Sequence, residues 1–152
     1  MGREVRHPVR AVLGVAAVSV TLALTACSGA PTAPAENYKG EPRGVEAPAR
    51  SAGGAEYAMW LGKGDRFAVT LYGSSSCPPV AATMRVAGAN KVDVVLKPSP
   101  KRACTADYAP HTSVFDTPSA IRIGTPVHIT VERADARKKD TTQIVLPPYG
   151  TN

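Results

Sequence analysis

A chain of 152 residues with 18 basic and 12 acidic side chains, a formal charge of +6, is long enough for one domain of ordinary size. It carries no phosphate loop and no dinucleotide fingerprint, and it lacks the aromatics interleaved with basic residues that single-strand nucleic-acid binders use, so nucleotide chemistry and nucleic-acid partners are set aside. Its cysteines number three, an odd count that pairing alone cannot absorb.

The first ten residues, MGREVRHPVR, hold Arg3, Arg6 and Arg10 against a single Glu4, and are followed by the uncharged run AVLGVAAVSVTLAL, Ala11 to Leu24. A basic head, an apolar stretch of about 14 residues and then small residues is the layout of a secretory signal peptide, and the run is short of the roughly 20 that a permanent membrane helix needs. Leu24, Thr25, Ala26 and Cys27 then resemble the lipobox of bacterial lipoproteins: an apolar residue, two small ones and a cysteine at the cleavage position. The resemblance implies that residues 1–26 are removed. It also implies that Cys27 carries a diacylglyceryl group, and that the protein is held on the extracytoplasmic face of the cell membrane. Two acyl chains suffice for stable anchoring where one does not. An ordinary secretory signal cut elsewhere would instead leave Cys27 as a free thiol.

From Ser28 to Ala55 the chain reads SGAPTAPAENYKGEPRGVEAPARSAGGA, dominated by Ala, Pro and Gly. Such composition predicts a disordered tether over residues 27–55, long enough to let the folded part stand well away from the membrane. The competing expectation is that Tyr38 or Val45 packs onto the domain.

Residues 56–148 change to a period of two. RFAVTLY directs Phe67, Val69 and Leu71 to one side and Arg66, Ala68, Thr70 and Tyr72 to the other; PVAATMRV directs Val80, Ala82, Met84 and Val86 inward; KVDVVLK does so with Val92, Val94 and Leu96. PVHITVER aligns Val127, Ile129 and Val131 against an outward His128, TTQIVLPP supplies Ile144 and Leu146, and shorter strands are expected at Tyr57 to Leu61 and Thr112 to Asp116. The intervening GKGD, GSSSCPP, GAN, PSPKR and ADARKKD are turn sequences. About seven short strands predict an all-β fold, a small antiparallel β-sandwich of immunoglobulin-like architecture, with a small barrel as the alternative. Trp60 precedes Cys77 instead of lying between the cysteines, which separates the architecture from the immunoglobulin family itself.

With Cys27 taken by the lipid, Cys77 and Cys104 are expected to form a disulfide, the usual fate of cysteines in an exported domain with a thin core. The rival is a metal site built from Cys77, Cys104, His111 and His128, since thiolates with imidazoles suit zinc or copper; the spacing lacks any short clip that would favour it. GSSSCPP and CTADYAPHTSVFDTP are similar to elements of small secreted lipoproteins of high-G+C Gram-positive bacteria. That resemblance implies the disulfide and brings no catalytic residues and no cofactor.

A nucleophile, base and orienter could be drawn from Ser74, Ser75 and Ser76 with His111 and either Asp107 or Asp116, although no G-x-S-x-G elbow marks one serine. Without the three arginines and one glutamate of the leader, residues 27–152 carry 15 basic and 11 acidic side chains, a formal +4. The charge concentrates in ERADARKKD, where Arg133, Arg137, Lys138 and Lys139 could contact anionic lipid or a wall polymer, or serve only as a solvated tip that keeps the sheet edge from pairing. The reading is a monomeric, membrane-anchored lipoprotein acting as a non-catalytic binding or accessory module of the cell envelope. Its alternatives are a small hydrolase using the GSSSC loop and a metal-binding module.

Overall fold

The computed structural model describes residues 1–2, 29–48, 56–99, 101, 103–133 and 140–151. Most of the expected signal peptide, Cys27, the stretch from Ala49 to Ala55 and residues 134–139 of the basic segment lie outside them. Among the described residues eight strands form: β1 (Glu36–Lys39), β2 (Tyr57–Leu61), β3 (Arg66–Gly73), β4 (Ala81–Gly88), β5 (Lys91–Leu96), β6 (Ala109–Asp116), β7 (Val127–Glu132) and β8 (Thr141–Leu146). They pair into two four-stranded sheets, β1-β6-β3-β2 and β4-β5-β7-β8, which make an all-β sandwich.

The core between the sheets is the one that the alternation predicts, except that Val80 and Ala82 are only half-buried and stay out of it. Phe67, Val69 and Leu71 of β3 meet Met84 and Val86 of β4, Val92, Val94 and Leu96 of β5, Val127, Ile129 and Val131 of β7, and Ile144 and Leu146 of β8. Phe115 stacks on Phe67 at 5.5 Å between ring centroids, and Trp60 meets Phe67 edge-on at 6.1 Å. Each such side chain contributes about 1.5–3 kcal/mol by leaving water.

Three expectations are corrected. Residues 27–55 are not a uniform tether: Glu36–Lys39 adds an edge strand to β6, and Thr32 exchanges backbone hydrogen bonds of 2.8 Å with Met84 of β4. Tyr38 packs on the domain while Val45 is exposed. In β3 the second face is also buried, because Ala68, Met59 and Val114 form a small cluster under Tyr38, Tyr57 and Leu61. In β4 a register shift between Ala81 and Thr83 turns Ala81, not Ala82, into the core.

The sheets are not wholly antiparallel either. β5 and β7 run parallel, Lys91 beside His128 through Val95 beside Glu132, because the chain leaves this sheet after β5, passes through β6 in the other, and returns. The molecule therefore has two distinct ends. One carries the β3–β4 and β5–β6 loops and the foot of the β7–β8 hairpin. The other carries the β2–β3 and β4–β5 turns and the β6–β7 loop.

Candidate functional site

The end bearing the β3–β4 and β5–β6 loops gathers most of the chemistry that the sequence singled out. β3 stops at Gly73, where a Cβ would stand 3.0 Å from the Pro79 ring, so a larger residue would have to push that proline back from the strand end. Ser74 and Cys77 close the loop, the Cys77 amide donating to the Ser74 carbonyl at 3.2 Å. Cys77 is joined to Cys104 in a disulfide, with 5.6 Å between the two Cα atoms. Around it, the Ser74 and Thr105 hydroxyls lie 2.7 Å apart, the Thr105 amide donates to the Ser76 hydroxyl at 3.0 Å, and the Ser75 amide donates to the Asp107 carboxylate at 3.0 Å. The Thr105 hydroxyl also donates to Asp107. Hydrogen bonds from Ser75 and Thr105 hold the Asp107 carboxyl down to about 2, well below an ordinary aspartate.

This network locks one loop to the other, the serines bonding to one another, to Thr105 and to Asp107. His111, the imidazole that a triad would need, sits on β6 with its side chain buried, and neither ring nitrogen has a hydrogen-bond partner among the described residues. Burial, and then the nearby Lys39 ammonium, lower its pKa and favour the neutral ring. Its register places it beside Leu71 of β3 and Lys39 of β1, while the serines bond to Thr105 and Asp107. Asp116 is exposed at the far end of the same strand, opposite Arg66. A carboxylate held as low as Asp107 is a poor proton acceptor at neutral pH.

The four residues of the metal alternative are likewise dispersed. Cys77 and Cys104 are oxidised to each other, His111 is buried, and His128 is exposed beside Thr130, Lys91 and Asp93 on the outer surface of the other sheet. Among the described residues no group of three or more His, Cys, Asp or Glu side chains is placed to hold a metal ion.

Against the disulfide lies a groove of about 380 Å³ lined by Cys77, Pro78, Val80, Lys97 and Pro98, and a smaller one of about 230 Å³ shares Cys77, Pro78 and Lys97 with it and reaches Gly73, Leu96 and Arg133. Its walls are mostly apolar, from Pro78, Val80 and Pro98, with Ser76, Ser99 and the exposed Lys97 also lining it. Tyr108, largely exposed, stacks on the buried Tyr72 at 5.1 Å nearby. Of the basic hairpin, Arg133 is drawn inward to Glu56 at 2.9 Å and to Asp140 at 3.8 Å. Arg137, Lys138 and Lys139 lie outside the described residues, as does the lipidation candidate Cys27.

One cluster was not anticipated. Glu41 accepts hydrogen bonds from Tyr57 and, at 2.6 Å, from Tyr72, so the chain after β1 is strapped over the outer face of the β1-β6-β3-β2 sheet. Burial and the Glu41 carboxylate push the Tyr57 phenol well above the ordinary tyrosine range. The one signal in the sequence was Tyr38, an aromatic residue in an otherwise Ala/Pro/Gly segment. Comparison with protein-family models, with curated proteins and with solved structures finds no match to this chain, so the site is read from its own chemistry.

Proposed function

We propose that this chain is a lipoprotein held on the extracytoplasmic face of the cell membrane by a diacylglyceryl group on Cys27, and that its β-sandwich is a non-catalytic binding or accessory module of the cell envelope. The observation that carries the reading is the Cys77–Cys104 pair, which leaves Cys27 as the remaining thiol, directly after the apolar run and Leu-Thr-Ala. A stapled sandwich suits an oxidising compartment, where small domains rely on disulfides to supplement a limited core. The dispersal of His111, Asp116 and the serines argues for binding over hydrolysis.

The test is expression in a bacterium that processes lipoproteins. The parent should carry the acyl mass on a mature N-terminal Cys27 and partition into the membrane. The Cys27→Ala variant should lose both. A variant that is cut and retained like the parent would remove the anchor from the reading.

A further inference from the structure

The structure reverses the geometry that a long tether would give. Thr32 is fixed to Met84 by two backbone hydrogen bonds, and its hydroxyl lies 3.3 Å from the same carbonyl. Gly29 is already on the sandwich, where a Cβ would stand 3.7 Å from that of Val86. Only Ser28 separates Gly29 from Cys27, and two trans peptide units span at most about 7.6 Å between Cα atoms. The Thr32–Met84 pairing is antiparallel, so the chain preceding Thr32 runs toward the Gly88 end of β4. The described chain thus begins at Gly29 beside the β4–β5 end of the sandwich, and a group on Cys27 can be no farther from it than those two peptide units allow.

That turn belongs to a continuous end surface. Asn90 accepts from the Arg122 amide at 2.8 Å and donates to the Arg122 carbonyl at 2.9 Å, and the neighbouring Ile123 packs against Gly64, where a Cβ would lie 3.1 Å from it. Lys63, Lys91 and Arg122 are all exposed beside these contacts. Asp65 and Asp116 are exposed at the same end, so the net attraction to anionic headgroups is small and the short link from Gly29 to Cys27, not charge, sets the orientation.

We infer that the anchored protein stands on the bilayer by this end, with Lys63, Lys91 and Arg122 at the headgroups and the disulfide groove facing away from the membrane. The inference rests on the lipidation of Cys27 proposed above. The longest strands, β3, β4 and β6, have 8 residues each. At about 3.3 Å per residue they lift the groove and the foot of the basic hairpin roughly 25 Å from the headgroups, beyond about three Debye lengths at physiological salt.

The experiment uses the full lipidated chain in phosphatidylglycerol/phosphatidylcholine vesicles and a water-soluble amine acylating reagent, read lysine by lysine by mass spectrometry. A second form carries about 20 Gly/Ser residues inserted between Ser28 and Gly29, whose r.m.s. reach of about 25 Å frees the domain while keeping the anchor. The native form should show a several-fold loss of reactivity at Lys63 and Lys91 relative to the inserted form, with Lys97 and Lys101 unchanged. Equal reactivity of all four lysines in both forms, with the acyl mass present on Cys27, would overturn the orientation alone. A chain without the acyl mass that also fails to float with vesicles would remove the anchor itself, and the orientation with it.

Discussion

His111 is the residue whose surroundings fit its chemistry least well. Its register partners are Leu71 on β3 and Lys39 on β1, so a protonated ring would be buried beside one cation with no carboxylate as its partner in either pairing. The folded state therefore depresses its pKa below the ordinary histidine value of 6.5, burial being the larger cause and Lys39 the lesser. Between that depressed value and 6.5 the unfolded chain binds more protons, so stability rises with pH through this window. The contribution is complete above about pH 6.5 and is lost progressively as the pH falls below it. Melting temperatures measured at pH 7.5 and pH 5 should differ more in the parent than in His111→Leu, which has nothing to titrate there. An equal difference in both would place the acid sensitivity elsewhere.

At the scale of elements, the strands that the sequence made legible are those with one apolar face. β5, β7 and β8 point Val92, Val94, Val127, Ile129, Ile144 and Leu146 inward as their alternation predicts. β1 was invisible for a physical reason. Its residues on the core side are Asn37, bonded through Ser113 at 2.6 Å, and Lys39 beside His111, and only Tyr38 is apolar, so no hydrophobic period exists to be read. The loop site was half legible. Cysteine arithmetic located the Cys77–Cys104 staple, whereas the Ser74–Thr105 and Ser75–Asp107 contacts depend on loop geometry that spacing does not encode. The strap that follows β1 should be measurable by itself. Replacing Glu41 with Ala strips the acceptor from two partly or wholly buried phenols and should cost about 2 kcal/mol in chemical denaturation, hydrogen bonds to charged groups being worth roughly 1.5–3 kcal/mol. The Cys77→Ala/Cys104→Ala double variant opens a loop whose ends are 27 residues apart. On the chain-entropy relation it should lose about 3.5 kcal/mol.

Across the whole molecule the open sides of the sandwich are closed by different means. On one side β2 meets β8, with the Trp60 indole donating to the Pro147 carbonyl at 2.6 Å and Arg133 paired to Glu56. On the other, the segment from Gly29 to Gly40 crosses between sheets: Thr32 pairs with β4 of one, the Ala35 amide donates to the Val114 carbonyl at 2.8 Å, and Glu36–Lys39 completes the pairing of β6 in the other. One short stretch of chain thus covers two strand edges that would otherwise offer unpaired amides and carbonyls to a second molecule. Tyr38 of the same stretch packs on the outer cluster of Met59, Ala68 and Val114, and Glu41 beyond it accepts hydrogen bonds from Tyr57 and Tyr72. A chain beginning at Glu56 keeps seven of the eight strands and the disulfide, so a domain built only on the central core should fold unchanged. We expect instead a loss of about 3 kcal/mol or more, from net contributions of roughly 0.5–1.5 kcal/mol for each lost hydrogen bond. The shortened chain should also associate with itself as protein concentration rises, because β6 and β4 now present bare edges. Denaturant titration together with sedimentation at several concentrations reads both effects. A truncated chain that is as stable as the parent and stays monomeric would show that the segment merely rests on the sandwich, and would return residues 29–48 to the part of a tether.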